Sequence, residues 1–114
     1  LRRYIKFVDN DYEPQFLYAE LLAERGFTSR AEPIYRTVLT LIAKLQPADF
    51  RARTVRAQTL QRVGEVSAAV GEFRTLLAER PQAGHLRADY IATLLDNQRL
   101  RLARQVAANG RRLR

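Results

Sequence analysis

Cysteine, methionine and tryptophan are absent from this 114-residue chain, and histidine occurs once, at His85. Without cysteine there are no disulfides, no thiolate zinc sites and no cysteine nucleophile. A single histidine argues against zinc or copper chemistry. No apolar run approaches the roughly 20 residues of a membrane-spanning helix. The chain also starts at Leu1 within a helical pattern, which predicts a fragment of a longer protein, so the missing targeting signal says nothing about location.

Groups that carry catalysis are equally sparse. The five glycines are scattered singly, so the sequence has no glycine-rich phosphate loop. Ser29 is interpreted as a helix cap, Ser67 has no histidine partner in the sequence pattern, and His85 is interpreted as a solvated residue at a helix start rather than a ligand. The sequence therefore predicts no catalytic residue, no metal site, no cofactor and no enzymatic activity.

Acidic residues are outnumbered by 20 cations to 12, which gives a net charge of +8. Such an excess is typical of proteins that bind nucleic acid or another anionic polymer, but arginine is also a common residue of solvated helices in proteins from GC-rich genomes. Residues 9–24 carry five acids and no cation, whereas residues 97–114 carry six arginines and no acid. No aromatic residue follows Tyr90, which disfavours stacking on single-stranded nucleic acid.

What the sequence does contain is helical periodicity throughout, without a strand pattern. Gly26 and Gly64 are placed as helix C-caps, Asp49 as an N-cap, and Ser29 as the start of a Ser-x-x-Glu capping box. The helix after Ser29 is expected to exceed its later counterpart by about one turn. The helices are predicted over about 12–25, 29–45, 50–63, 66–80, 84–96 and 99–112, after a helical segment near 1–8.

The helices recur as pairs with a period of about 34 residues, a spacing typical of helical repeat arrays. The middle unit has small residues, a turn glycine, an aromatic and a proline at Ala57, Leu60, Gly64, Ala69, Phe73 and Pro81. The preceding unit has Ala19, Leu22, Gly26, Ala31 and Tyr35 in the same roles. The following unit has Ile91, Leu94, Gln98, Ala103 and Ala107, so this third unit is degenerate.

At these positions the chain resembles a tetratricopeptide repeat protein, more closely than the Sel1-like repeats with their longer loops. The resemblance implies an all-α right-handed superhelix of antiparallel helix pairs. It divides the single array into the end of a preceding repeat (1–11), a repeat with an extended second helix (12–49), the best-matching repeat (50–83) and a degenerate repeat (84–114).

The resemblance also implies a concave partner-binding groove, acidic with one exposed ring in the first repeat and basic and amide-rich in the second. The groove residues are Glu13, Phe16, Glu20, Glu24, Arg51, Thr54, Gln58, Gln61 and Arg62. Its third-repeat positions hold His85, Ala88, Ala92, Leu95 and Asp96. Such a groove suits a polar or extended peptide of mixed charge. The alternative is that these positions are simply solvated helix faces.

The overall style is similar to the periplasmic repeat regions of Gram-negative outer-membrane exopolysaccharide export proteins of the Pel type. This resemblance implies a scaffold in the bacterial periplasm that recruits a polysaccharide-modifying enzyme as its protein partner, next to further repeats of the same chain. The alternative function is a binding module for an anionic polymer or nucleic acid through the arginine-rich surface, although nucleic acid is disfavoured by the missing aromatics.

Overall fold

The computed structural model describes residues 11–112, without the side chains of residues 102, 103 and 106–112. This part of the chain is all α-helical. Its five helices are α1 (Tyr12–Glu24), α2 (Thr28–Ala43), α3 (Phe50–Arg62), α4 (Val66–Glu79) and α5 (Gly84–Arg112). The predicted helical segment near 1–8 lies outside the described residues. None of the described helices combines the length and apolarity that a membrane crossing needs.

Glycine ends α1 and α3 by the same mechanism. Gly26 and Gly64 both have φ of +87°, a left-handed conformation that costs glycine little. Gly26 N–H donates to Ala23 and the following Phe27 N–H donates to Leu22, at 3.0 and 2.8 Å. The bonds after α3 repeat this pattern, so both helices end in a Schellman motif. The predicted C-caps are confirmed.

The N-caps agree with the sequence at one position and differ at another. The Asp49 side chain accepts a hydrogen bond from the backbone N–H of Ala52 at 2.8 Å, as predicted for the start of α3. The predicted capping box at Ser29 is wrong, because α2 starts at Thr28 with Phe27 as its N-cap and no side-chain cap bond. The Schellman turn leads directly into α2, so Ser29 already lies inside the helix, where its hydroxyl cannot cap.

The extra length of the first helix pair is divided between a helix and a loop. α2 has 16 residues and α4 has 14, so α2 exceeds its counterpart by less than the predicted full turn. The connection 44–49 is also longer than the connection 80–83. The sequence predicts that this helix ends near residue 45, but it ends at Ala43 with Lys44 as its C-cap.

The last helix differs most from expectation. The sequence predicts helices over 84–96 and 99–112 with a turn at Gln98, but α5 runs without interruption from Gly84 to Arg112. The turns at Gly26 and Gly64 use a left-handed residue, whereas Gln98 is a good helix former with no tendency to that conformation. Because the local helix propensity is high, the helix continues at the position where the repeat register predicts a turn.

Each helix packs against the next along the chain, and α3 also contacts both α1 and α5. The buried side chains form two clusters that meet at α3. One joins α1 and α2 to Val55, and the other joins α4 and Leu86 of α5 to Ala57. Val55 and Ala57 are both fully buried. Because they point to opposite sides of the helix, α3 separates two cores and supports both.

Candidate partner-binding surface

Two ion pairs connect α1 to α3. The Arg51 guanidinium contacts the Glu13 carboxylate at 3.0 Å. Arg62 makes a two-pronged contact with Glu20, with Nε and Nη2 each 3.0 Å from a carboxylate oxygen. The contacts progress along both helices in the same direction, so α1 and α3 run parallel.

Two amide–carboxylate hydrogen bonds connect α3 to α5 in the same way. Gln58 Nε2 donates to Asp89 at 3.0 Å, and Gln61 Nε2 donates to Asp96 at 3.1 Å. α3 and α5 are therefore also parallel, and α1, α3 and α5 form one continuous surface. We call its four side-chain pairs the polar seam: Glu13–Arg51, Glu20–Arg62, Gln58–Asp89 and Gln61–Asp96.

Six of the nine predicted groove residues belong to the polar seam. Their polar groups bind each other or the neighbouring helix, so a partner meets paired charges over much of this surface. Exposed ion pairs of this kind stabilise a fold weakly, by up to about 1 kcal/mol each. Their main effect is to fix which helices lie side by side.

Two other predicted groove residues belong to the core. The sequence predicts an exposed ring at Phe16, but this side chain is only 5% exposed and packs against Tyr35, with ring centroids 6.2 Å apart. Thr54 is also buried, and its hydroxyl donates to the carbonyl of Phe50 at 2.9 Å. The expectation of an exposed ring is wrong because α2 covers this side of α1.

The first depression on this surface lies between α1 and α3 and has a volume of about 570 Å³. Its lining residues are Phe16, Leu17, Glu20, Ala23, Glu24 and Arg62. Four of them, Phe16, Glu20, Glu24 and Arg62, are predicted groove residues. The structure therefore brings the acidic set of α1 and the basic end of α3 to one place.

The two glutamates of this depression have different electrostatic environments, because one is paired within the fold and the other is exposed. Glu20 accepts hydrogen bonds from Arg62 and from the Tyr35 hydroxyl. Burial raises the pKa of Tyr35, and the hydrogen bond to Glu20 raises it further. Burial by itself would lower the pKa of Arg62, but its hydrogen bond to Glu20 and that carboxylate's charge raise it overall. Glu24, in contrast, is exposed at the rim.

The second depression has a volume of about 450 Å³ and lies near the start of α3. Its lining residues are Asp49, Phe50, Arg51, Thr54, Arg80 and His85. The Arg80 guanidinium lies 3.8 Å from the centre of the Phe50 ring, which is cation–π geometry. Asp49 is engaged as the cap of α3 and Arg51 in the polar seam. This depression is the more cationic of the two.

Sequence reasoning missed several participants in this surface, among them Tyr35, Asp89 and Leu17. Tyr35 holds Glu20 from α2, and Asp89 receives the amide of Gln58 from α5. Leu17 forms part of the first depression and is 60% exposed. A signal for Asp89 was present, because it follows Gln58 by close to one repeat period, but the groove positions carried over from the resemblance did not include it.

Within the described part of the chain no three histidine or acidic side chains converge as metal ligands. Every buried side-chain polar atom described has a hydrogen-bond partner. No family model matches the chain, and neither a curated protein nor a solved structure was matched to it. The interpretation of this surface therefore depends on its geometry and charge.

Proposed function

We propose that this chain is a protein-binding segment of a tetratricopeptide-like scaffold, built from antiparallel helix pairs stacked as a right-handed superhelix. The parallel arrangement of α1, α3 and α5 supports it, since stacked helix pairs bring the first helix of each pair to a common face. The shared glycine turns after α1 and α3 support it as well.

The observation that carries the proposal is the depression between α1 and α3. Its floor is apolar, from Phe16, Leu17 and Ala23, and Glu24 stands exposed beside it. A protein segment with an apolar side chain next to a lysine or arginine would bury the first on this floor and pair the second with Glu24. In the more specific form of the proposal, that segment belongs to a periplasmic polysaccharide-modifying enzyme recruited to an exopolysaccharide export machine.

The ion pairs of α3 favour this function over polyanion binding. Arg51, Arg53, Arg56 and Arg62 each contact a glutamate, at distances between 2.5 and 3.0 Å. To bind a polyanion, these guanidinium groups would first have to leave their carboxylates. The arginines of one whole helix are thus occupied within the fold.

A matched pair of charge reversals tests the site. Glu24→Arg changes the rim of the depression, and Glu32→Arg makes the same change at an exposed position of α2. Binding to a purified periplasmic polysaccharide-modifying enzyme of an exopolysaccharide export system is measured by microscale thermophoresis. We expect Glu24→Arg to weaken binding by about tenfold or more, because repulsion replaces a charge contact, and Glu32→Arg to change it by less than about twofold. Equal losses in both variants would show a nonspecific charge effect and refute the site.

A salt series separates the proposed function from polyanion binding. Heparin affinity would fall steeply between about 50 and 300 mM salt, because each neutralised anion releases a counterion. Docking on the apolar floor should weaken much less. Tight heparin binding at physiological salt, with no binding to the enzyme, would replace the scaffold by the polyanion-binding function.

A further inference from the structure

The two faces of α3 show what normally covers the first helix of a pair. Val55 faces α2 of the preceding pair, and Ala57 faces α4 of its own pair. Both side chains are fully buried. A helix in this position is therefore covered from both sides by second helices.

α5 is covered from one side only in the described part of the chain. Leu86 and Thr93 are fully buried, and Leu86 belongs to the cluster with α4. Ile91 and Leu94 occupy on α5 the places of Ala57 and Leu60 on α3, but they are 51% and 36% exposed. These are the positions that a helix equivalent to α4 would cover, and α5 continues straight on instead of turning back.

We propose that this face of α5 docks an acidic amphipathic helix from a partner protein, antiparallel to α5, in the place that α4 occupies on α3. The contact positions are Ile91 and Leu94. They continue into a depression of about 470 Å³ along α5, which is lined by Leu94, Asn97, Gln98, Arg101 and Gln105.

The acidic character of the partner helix follows from the α3–α4 pair. There Arg53 binds Glu79 of α4 through two contacts, of 2.9 and 2.5 Å. Arg87 occupies the place of Arg53 one repeat later and is exposed, with one guanidinium N–H donating to the Pro81 carbonyl. The remaining N–H groups of Arg87 suit a carboxylate near the C-terminal end of the incoming helix. Arg101 provides a second cation on the same side.

Residues 97–114 do not supply this chemistry. Residues 97–114 contain six arginines and no acid. Folded back on the first part of α5, this segment would bring its own arginines towards Arg87. A partner helix that carries carboxylates is therefore the better complement. The proposal goes beyond the proposed function, since this face is on α5 and the first depression lies between α1 and α3, so either can fail alone.

A peptide with the sequence of residues 66–79, capped at both ends and labelled with fluorescein, is a direct probe, because this sequence already covers Ala57 in the fold. We expect saturable binding in fluorescence anisotropy. Leu94→Asp should weaken it by about tenfold or more, since a carboxylate would enter the apolar contact. Leu21→Asp is the matched control on α1, at a position that is 45% exposed and lines neither depression, and it should have less than about a twofold effect. Absent binding, or equal loss in both variants, would overturn the proposal.

Charge exchange tests the Arg87 contact. Arg87→Glu should weaken binding of the peptide, and a peptide with arginine in place of Glu79 should recover affinity for that variant but not for the wild type. A purely apolar association would show no such crossover, and the acidic-helix proposal would then be wrong.

A distance measurement tests whether the chain folds back and covers this face of α5 with its own residues. The 114 residues contain no cysteine, so spin labels can be attached specifically at Ile91→Cys and Gln105→Cys. A continuous helix separates these positions by roughly 21 Å, whereas a folded-back helix would bring them to roughly 10 Å. The long distance is expected, and the short distance would overturn the proposal.

Discussion

Single residues decide where the helices end. Gly26 and Gly64 both have a φ of +87°, and a Cβ added to either would meet no atom within 4 Å. The requirement for glycine is therefore conformational and not steric. This is why two isolated glycines could be assigned as helix C-caps from the sequence.

Replacing these glycines has a predictable cost. We expect Gly64→Ala to lower the free energy of unfolding by about 1–2 kcal/mol, the cost of the left-handed conformation for an L residue. Gly71→Ala is the control, because Gly71 lies inside α4 with open space at its Cβ, and it should stabilise by about 0.5–1 kcal/mol. Urea denaturation followed by circular dichroism measures both. A stabilising effect of Gly64→Ala would contradict the assignment.

Helix caps provide a second prediction of this kind. Asp49 bonds the Ala52 N–H, whereas Glu65, at the N-cap of α4, makes no side-chain cap bond. Asp49→Ala should therefore cost about 1 kcal/mol, and Glu65→Ala should stay within about 0.5 kcal/mol of the wild type. Equal effects in thermal and urea unfolding would show that the cap bond contributes nothing.

Between helices, the Arg53–Glu79 contact joins α3 to α4 and makes stability depend on pH. The hydrogen bond from Arg53, followed by its charge, holds the pKa of Glu79 below its usual value of 4.5. A carboxyl group whose pKa is lowered by folding stabilises the folded state at pH values above its ordinary pKa. This stabilisation is lost as the pH falls through the pKa of the folded state.

Glu79→Gln should therefore have a lower melting temperature than the wild type at neutral pH. This difference in melting temperature should disappear as the pH falls below about 4.5. Glu32→Gln serves as the control, since Glu32 makes a longer contact of 3.5 Å with Arg36 on the same exposed helix face. Its gap at neutral pH should be smaller. A Glu79→Gln gap that persists under strong acid would exclude the ion pair as its cause.

The comparison of α3 with α5 explains where prediction by register failed. Gln98 holds the place of Gly64, and the repeat period placed a turn there. The residues around Gln98 provide no left-handed conformation, so the helix continues to Arg112. The predicted inward side chains at residues 103 and 107 lie outside the described side chains. The division into repeats at 12–49, 50–83 and 84–114 stays a prediction.

For the molecule as a whole, α3 is the connecting element. It contributes Val55 to one core and Ala57 to the other, and the polar seam joins it to α1 and to α5. A destabilising substitution on either face of α3 should therefore destabilise both helix pairs.

Val55→Ala tests this coupling. It should lower the free energy of unfolding by about 2 kcal/mol, for two buried carbon atoms and the cavity they leave. Hydrogen exchange should accelerate in α4 as well as in α1 and α2, because the cores unfold together through α3. Leu17→Ala, at a position that is 60% exposed, should change little. Faster exchange confined to α1 and α2 would mean that the two cores open independently.

The all-helical class, the glycine caps and the Asp49 cap were readable from residue order because each depends on contacts within about five residues. Other features depend on residues that are 15 to 31 positions apart in the sequence. These are the burial of Phe16, the hydrogen bond from Tyr35 to Glu20 and the hydrogen bond from Gln58 to Asp89. The repeat spacing in the sequence can predict that such residues lie on a common surface. Which of them become core, which pair with each other and which remain free for a partner depends on how α2 and α5 pack, and that is settled only when the helices are assembled.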